Sequence, residues 1–230
     1  MRPPLTECVR SVRLSADVGS SSFECAISLK QLTPVVQRKP SDLNSLVIDL
    51  NDIAPYLRLG GCEPDAALSA KVETMREAAL EVIRPARVWR RIEWPYGAFG
   101  ASEKLAHHLE GCHVAYLVCG TLGTGFDALL RRISVKSAAD TLVLQAVGTA
   151  AIEEWMDAVE DEIRRELAPG ETLVSRYSPG YGDFPLSAQR ELLGLLDTPR
   201  AIGVSLTDTL LMVPSKSVSA VIGVKLEKQQ

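Results

Sequence analysis

Ten residues, from Arg176 to Pro185, form the most restrictive segment of this chain, with the sequence RYSPGYGDFP. Pro179 and Pro185 fix the backbone and remove amide donors, so no regular helix or strand can run through the segment. Gly180 and Gly182 can adopt a positive φ and let a ligand approach the backbone. The segment is therefore expected to form a stiff turn, and a stiff turn loses little entropy when it binds a ligand.

Two side chains of the turn suit a ligand that carries both a carboxylate and a cation. Arg176 can hold a carboxylate bidentately. Tyr181 offers an aromatic face to a cation and a hydroxyl to a polar edge. An amino acid joined to a nucleoside combines these groups with a planar ring. A rigid connection between a strand and a helix is the alternative that the residue types leave open.

Two further motifs follow the turn, LTDTLLMVP at 206–214 and SVS at 217–219. In this order, the three segments resemble the activation domain of cobalamin-dependent methionine synthase. The family pattern reads R-x-x-x-G-Y-x-x-x-P, L-T-[ED]-[ST]-x-x-M-x-P and S-V-[ST]. Upstream segments extend the resemblance over about Leu46 to Val224; they are PYLRLGGCEPD, RPARVWRRI, HHLEGC, TLGTGFDALL and AAIEEW.

The resemblance implies that the ligand is S-adenosylmethionine and that cobalamin is carried by a partner protein. By this resemblance Arg176 would hold the ligand carboxylate, and Glu153 its ammonium or ribose. Tyr181 would lie at the sulfonium. The backbone of Ser178 and Gly180 would contact the adenine edge.

The chain departs from the family pattern in three ways. A second ligand-contacting glutamate of the family lies just before the arginine, and the nearest acid here, Glu171, is one residue out of register. Longer family members continue past the equivalent of Gln230 with another ligand-contacting tyrosine, which is not present in these 230 residues. The sequence Asp-x-His-x-x-Gly, which marks the family's base-off corrinoid ligand, does not occur in these 230 residues. Action in trans is therefore expected.

The implied function is the reductive methylation, or reactivation, of a cobalamin-dependent methionine synthase or a related corrinoid protein. An electron from a donor such as a flavodoxin-like protein would yield Co(I), which attacks the sulfonium methyl group. Both reacting groups belong to the cofactors, so the domain would supply binding and orientation. In agreement, the sequence shows no convincing Ser-His-Asp, Cys-His or paired-carboxylate constellation.

Two other functions stay open at this point. A docking or sensing module could bind a corrinoid protein without delivering a methyl group, so enzyme status is undecided. A nucleotide-dependent or metal-dependent enzyme could use the segment Gly120 to Gly125, but no Lys follows it as in a phosphate-binding loop. The spacing of the nearby histidines and cysteines fits no zinc motif, so we predict no metal site; these residues are His107, His108, Cys112, His113 and Cys119.

Composition excludes several partners. The net charge of −4 argues against nucleic acid, which usually requires a basic face. No stretch is apolar for long enough to cross a bilayer, and the N-terminus lacks the apolar region of a signal peptide. The five cysteines show no paired spacing, which predicts free thiols and a cytoplasmic protein.

The pattern of elements predicts an α+β fold with a largely antiparallel sheet and packed helices, like that of the activation domain. Ser137 is expected to cap one long helix that closes at Ala168-Pro169-Gly170. We expect an N-terminal extension of unknown role at 1–43, the activation-like domain at 44–226 and a tail at 227–230.

Finer predictions concern the ends of elements. Pro64 is expected at the first position of a helix, and Ser187 is expected to cap a helix from Ala188 to Leu196. A strand is predicted from Ala201 to Leu206. Short strands are predicted in the extension at 9–14 and 23–29.

Overall fold

The computed structural model describes residues 35–37, 48–57, 59, 62, 64–97, 99 and 101–226. Seven α-helices occur in these ranges: α1 Leu50–Ile53, α2 Ala66–Val82, α3 Glu103–His108, α4 Thr124–Ser134, α5 Ala138–Glu166, α6 Gln189–Leu196 and α7 Thr198–Ala201. Two 3-10 helices, Ala54–Leu57 and Leu186–Ala188, precede α2 and α6. The strands are β1 Val35–Gln37, β2 Ala86–Glu93, β3 Cys112–Thr121, β4 Glu171–Leu173, β5 Ser205–Leu206, β6 Met212–Val213 and β7 Ser217–Leu226.

Five strands form one antiparallel sheet in the order β1-β2-β3-β7-β4. The long strands β3 and β7 lie at its centre, with Cys119 opposite Ser219 and Leu117 opposite Val221. Strands β5 and β6 form a separate hairpin. The prediction of an α+β fold with a largely antiparallel sheet is therefore confirmed.

Both faces of the sheet are covered, so the alternating side chains of β3 are buried on either side. On one face Val118 and Tyr116 pack with the C-terminal half of α5, through Met156, Val159 and Ile163. On the other face residues of β2, β3 and β7 pack with α3 and α6; this cluster includes Val88, Leu117, Cys119, Val221, Leu105, Leu192 and Leu196.

The long helix α5 serves two layers of the protein. Its Ser137 cap accepts a hydrogen bond from the Asp140 amide at 3.1 Å, as the sequence predicts. The N-terminal half packs against α2 and α4, where Gly148 lies against the ring of Phe126. A Cβ at Gly148 would lie 2.2 Å from that ring, so the close approach of α4 to α5 requires glycine there.

Close packing explains the glycines in the segment from Gly120 to Gly125. A Cβ at Gly125 would lie 2.1 Å from the carbonyl oxygen of Val82, at the end of α2. Gly123 has a φ of 82°, and a Cβ there would lie 2.9 Å from the Arg84 carbonyl oxygen. These contacts explain the glycines without a bound phosphate.

Three predictions about element ends are wrong. Asp65, not Pro64, stands at the N-terminal cap of α2, and its carboxylate accepts from the Leu68 amide at 2.8 Å. Ser187 does not cap α6, because a 3-10 helix comes first, with the Pro185 carbonyl accepting from the Ala188 amide at 3.0 Å.

The predicted strand from Ala201 to Leu206 is also too long: Ala201 ends α7, residues 202–204 form a turn and irregular backbone, and only Ser205–Leu206 are extended as a strand. Pro199 lies in the first turn of α7, where its fixed φ suits a helix start. Gly203, with a φ of 72°, then interrupts extended backbone, so pairing is limited to Ser205–Leu206. The strands predicted at 9–14 and 23–29 lie outside the described residues. Within the described ranges, no helix has the length and apolar character needed to span a bilayer.

The tight packing of Gly125 predicts a stability effect. Gly125→Ala should lower the free energy of unfolding by about 1 to 3 kcal/mol, because the new methyl group would overlap the backbone of α2. Denaturant unfolding monitored by circular dichroism measures the change. Gly194→Ala is the control, since its Cβ would meet nothing within 4 Å; in a helix it should raise stability by about 0.5 to 1 kcal/mol. Equal losses in both variants would contradict the packing argument.

Candidate functional site

The turn at 176–185 begins where the chain leaves the edge of the sheet. Tyr177 and Val221 exchange two backbone hydrogen bonds, each 2.9 Å long, which continue the pairing of β4 with β7. Successive residues of extended backbone point to opposite faces. Arg176 therefore reaches toward α5, while Tyr177 packs among the residues of the opposite face with Phe184.

The Arg176 guanidinium contacts three carboxylates of α5. Its Nη2 lies 3.1 Å from Glu153 Oε2 and 2.7 Å from Asp157 Oδ1, and its Nη1 lies 3.2 Å from Glu160 Oε1. The spacing i, i+4, i+7 puts the three acids on one side of the helix. The structure thus brings Arg176 and Glu153 together and adds Asp157 and Glu160, which the sequence analysis did not single out.

Internal hydrogen bonds hold the shape of the turn. The Gly180 amide donates to the Phe184 carbonyl at 2.8 Å, and the Tyr181 amide donates to the Ser178 carbonyl at 3.1 Å. Gly180 has a φ of 94° and Gly182 a φ of 57°, which confirms the left-handed backbone expected of them. A Cβ at Gly182 would lie 2.7 Å from the Tyr177 hydroxyl, so the turn closes on its own aromatic side chain.

One aromatic side chain anchors the turn and another is presented to solvent. Phe184 is fully buried, and its ring meets that of Tyr177 at a centroid distance of 6.3 Å. Tyr177 in turn contacts His108, at 5.0 Å between centroids, and Tyr181, at 5.9 Å. Tyr181 itself is 72% exposed, so its ring and hydroxyl are accessible.

Asp183 joins the turn to the start of α3, which the sequence analysis missed. Its carboxylate accepts hydrogen bonds from the Ser102 hydroxyl and from the amides of Glu103, at 2.9 Å, and Lys104, at 3.3 Å. Hydrogen bonding, first from Ser102, lowers the pKa of Asp183. An acid at the positive end of a helix is favourable, so Asp183 supplements the Ser102 cap.

Tyr56 is a second residue that sequence reasoning missed. It lies in the 3-10 helix Ala54–Leu57, which packs beside α5. Partial burial raises the pKa of Tyr56, and the negative charges of Glu153 and Asp157 raise it further. The signal was available, because Tyr56 belongs to PYLRLGGCEPD, one of the segments that carry the family resemblance.

The remaining candidates are dispersed. His108 Nε2 lies 2.8 Å from the Ser175 carbonyl, and His113 pairs with Glu171 at 3.2 Å. Glu171 is therefore engaged at the sheet edge, and the contacts that Arg176 makes go to α5 instead. Cys119 is buried in the core, and burial raises the pKa of its thiol to about 12. No group of three metal-binding side chains comes together in the part of the chain that the structure describes.

Comparison with known proteins gives a family match for the C-terminal part of the chain. Residues 130–229 match a family model, and this range includes the end of α4, all of α5, the turn and β7. The family is the activation domain of vitamin B12 dependent methionine synthase. This match confirms the resemblance found in the sequence.

A solved structure agrees with the activation-domain match. The fold is similar to that of the MetH reactivation domain bound to AdoHcy, with a TM-score of 0.62 and 15% sequence identity. The similarity covers 87% of this chain and 81% of that one. At this identity the comparison shows a shared fold, and it extends over more of the chain than the family match does. A search of curated proteins returned no match.

The contacts of Asp183 predict a pH-dependent stability effect. Asp183→Asn should lower the melting temperature at pH 7, because an amide cannot accept all of these hydrogen bonds. Folding lowers the pKa of Asp183, so its contribution is present above the unfolded value of about 3.9 and is lost as the pH falls through the lower folded value.

Melting temperatures of wild type and variant from pH 7 down to pH 3 measure the effect. The difference between them should shrink below about pH 4. Asp208→Asn, at an exposed position between β5 and β6, is the matched control and should change little. A deficit of constant size across this range would contradict the assignment.

Proposed function

We propose that this protein binds S-adenosylmethionine at the Arg176 turn and presents its methyl group to a reduced corrinoid held outside these 230 residues. The supporting observation is the Arg176 guanidinium, held beside the carboxylates of α5 within the segment that matches the activation domain. An arginine next to an acid complements an amino-acid ligand, which carries a carboxylate and an ammonium on the same carbon.

The contact between Arg176 and Glu153 fits that pair of charges. Glu153 lies 3.1 Å from the guanidinium, and its side chain is 43% exposed. A ligand carboxylate bound to Arg176 would bring the adjacent ammonium within reach of Glu153. Charge-assisted hydrogen bonds of both kinds are stronger than neutral ones, so this end of the ligand would be held firmly.

The turn itself would contact the rest of the ligand. The exposed ring of Tyr181 can face the sulfonium through a cation–π contact. The Ser178 carbonyl accepts one hydrogen bond within the turn and keeps a second lone pair for an adenine amino group. The Gly180 amide already donates to Phe184, so we assign Gly180 a steric role, in which the missing side chain leaves room for the adenine.

The chemistry would come from the bound groups. S-Adenosylmethionine supplies an electrophilic methyl group on sulfur. An external donor, such as a flavodoxin-like protein, would reduce the corrinoid by one electron. The reduced corrinoid would take the methyl group, and S-adenosylhomocysteine would be left. The protein's own part is to orient the sulfonium and to keep it open to an approaching partner. Tyr181 lies at the exposed edge of the turn, so we propose that the corrinoid protein approaches from this edge.

Removal of the Arg176 charge tests the site. Arg176→Ala should weaken S-adenosylmethionine binding, measured by calorimetry, by about 1.5 to 3 kcal/mol, on the order of tenfold to a hundredfold, because a charge-assisted pair is lost. Arg132→Ala removes the same charge from an exposed position on α4 and should bind normally. Melting temperatures of both variants show whether they fold. Unchanged affinity in a folded Arg176→Ala protein would place the site elsewhere.

A methyl-transfer assay tests the function. The protein is mixed with methyl-labelled S-adenosylmethionine, a reductant and a corrinoid protein in the cob(II)alamin state. We expect label and the methylcobalamin absorbance to appear on the corrinoid protein, and both to fall with Arg176→Ala. If the ligand binds and no corrinoid protein acquires label, methyl delivery is wrong and a docking or sensing module becomes the better explanation.

A further inference from the structure

The two terminal nitrogens of Arg176 have different surroundings. Nη1 is buried and forms an ion pair, without hydrogen-bond geometry, at 3.2 Å from Glu160, whose side chain is only 13% exposed. Glu160 is itself fixed by Arg164, whose Nη2 lies 2.9 Å from Glu160 Oε2. Nη2 faces Glu153 and Asp157, whose side chains are 43% and 61% exposed. One end of the guanidinium therefore meets a largely buried acid, and the other end meets two more exposed acids.

We propose that Glu160 is the positioning residue that fixes Arg176, and that Asp157 occupies the place on Nη2 that a ligand carboxylate takes. This inference rests on the proposed function, because the incoming carboxylate is that of the amino-acid ligand. It divides the acids of α5 into three roles: Glu153 contacts the ligand, Asp157 is displaced by it, and Glu160 holds the arginine throughout.

Geometry supports the displacement of Asp157. Its Oδ1 makes the shortest of the three contacts, 2.7 Å, on the nitrogen whose partners are the more exposed acids. Nη2 already faces both Glu153 and Asp157, so a ligand carboxylate can bind there only if one of them leaves, and Asp157 is the more exposed of the two. The Asp157 side chain is 61% exposed, so water can solvate its carboxylate when it leaves, and displacing it costs less than displacing the largely buried Glu160. The ligand-free protein thus protects Arg176 with a partner that is easily removed.

Burial supports the anchoring role of Glu160. The Arg176 side chain is only 18% exposed, so most of its water shell has been removed and must be replaced by fixed partners. Glu160 is shared between two arginines, which limits its freedom to follow a departing guanidinium. A guanidinium held at Nη1 keeps Nη2 in one orientation, and this preorganisation lowers the entropy lost on binding.

The proposal predicts opposite effects of two charge-removing substitutions. Asp157→Asn should tighten S-adenosylmethionine binding about twofold to fivefold, because a competitor for Arg176 is lost. Glu160→Gln should weaken it about tenfold, because Arg176 loses its anchor. Asp161→Asn is the matched control; it removes the same charge one residue further on, where Asp161 contacts Arg164 and not Arg176. It should change the affinity by less than about twofold.

Calorimetric titration of the four proteins with S-adenosylmethionine measures these effects. Weaker binding to Asp157→Asn would overturn displacement and would assign Asp157 to the ligand ammonium. Tightening of equal size in Asp157→Asn and Asp161→Asn would also overturn it, since only the long-range charge would matter. Absence of binding to the wild-type protein would contradict the proposed function instead.

A second measurement needs no ligand and tests the anchor alone. In nitrogen-15 spectra, rotation of the Arg176 guanidinium about its Nε–Cζ bond is slow when both ends are held, and Arg176→Lys identifies its signals by their loss. Glu160→Gln should speed this rotation strongly, whereas Asp157→Asn should change it little. If Glu160→Gln leaves the rotation unchanged, the anchoring role is wrong, whatever the ligand does.

Discussion

Two backbone hydrogen bonds between Tyr177 and Val221 fix the position of the turn against the central sheet. They hold this stretch of chain extended at the edge of β7, so neighbouring side chains must point to opposite faces. Arg176 is sent to the α5 side, while Tyr177 packs with Phe184 on the side of α3 and α6. A shift of one residue in this pairing would exchange the two and bury a guanidinium in the apolar core.

The site depends equally on α5 as a rigid support. The apolar side of its C-terminal half packs on the sheet through Met156, Val159 and Ile163. This packing fixes the rotation of the helix and so directs its acids toward Arg176. Side chains carried on a packed helix are held more precisely than side chains on loops, which suits recognition of a small charged ligand. The turn contributes shape, and the helix contributes charge.

Much of this arrangement was predictable because it depends on residues close together in sequence. Proline and glycine determine the backbone of the turn within ten residues, and the Ser137 cap reaches an amide only three residues away. The motif around Arg176 indicated the family, and the resemblance then assigned Glu153 to the same ligand. The prediction that Ser187 caps α6 failed because two local signals compete there. A 3-10 helix that follows Pro185 forms in place of the serine cap.

The sequence by itself thus determined the turn, the long helix, the antiparallel class of the sheet and the position of Arg176 at the start of the turn. Only the tertiary structure decided what surrounds that arginine. Asp157 and Glu160 look like a solvated helix face until packing of α5 sets which side meets the turn. Asp183 meets Ser102 across 81 residues, and no local pattern encodes that contact. The physical reason is that local backbone preferences depend on neighbours in sequence, whereas the partner of a charge depends on which surfaces burial of the core brings together.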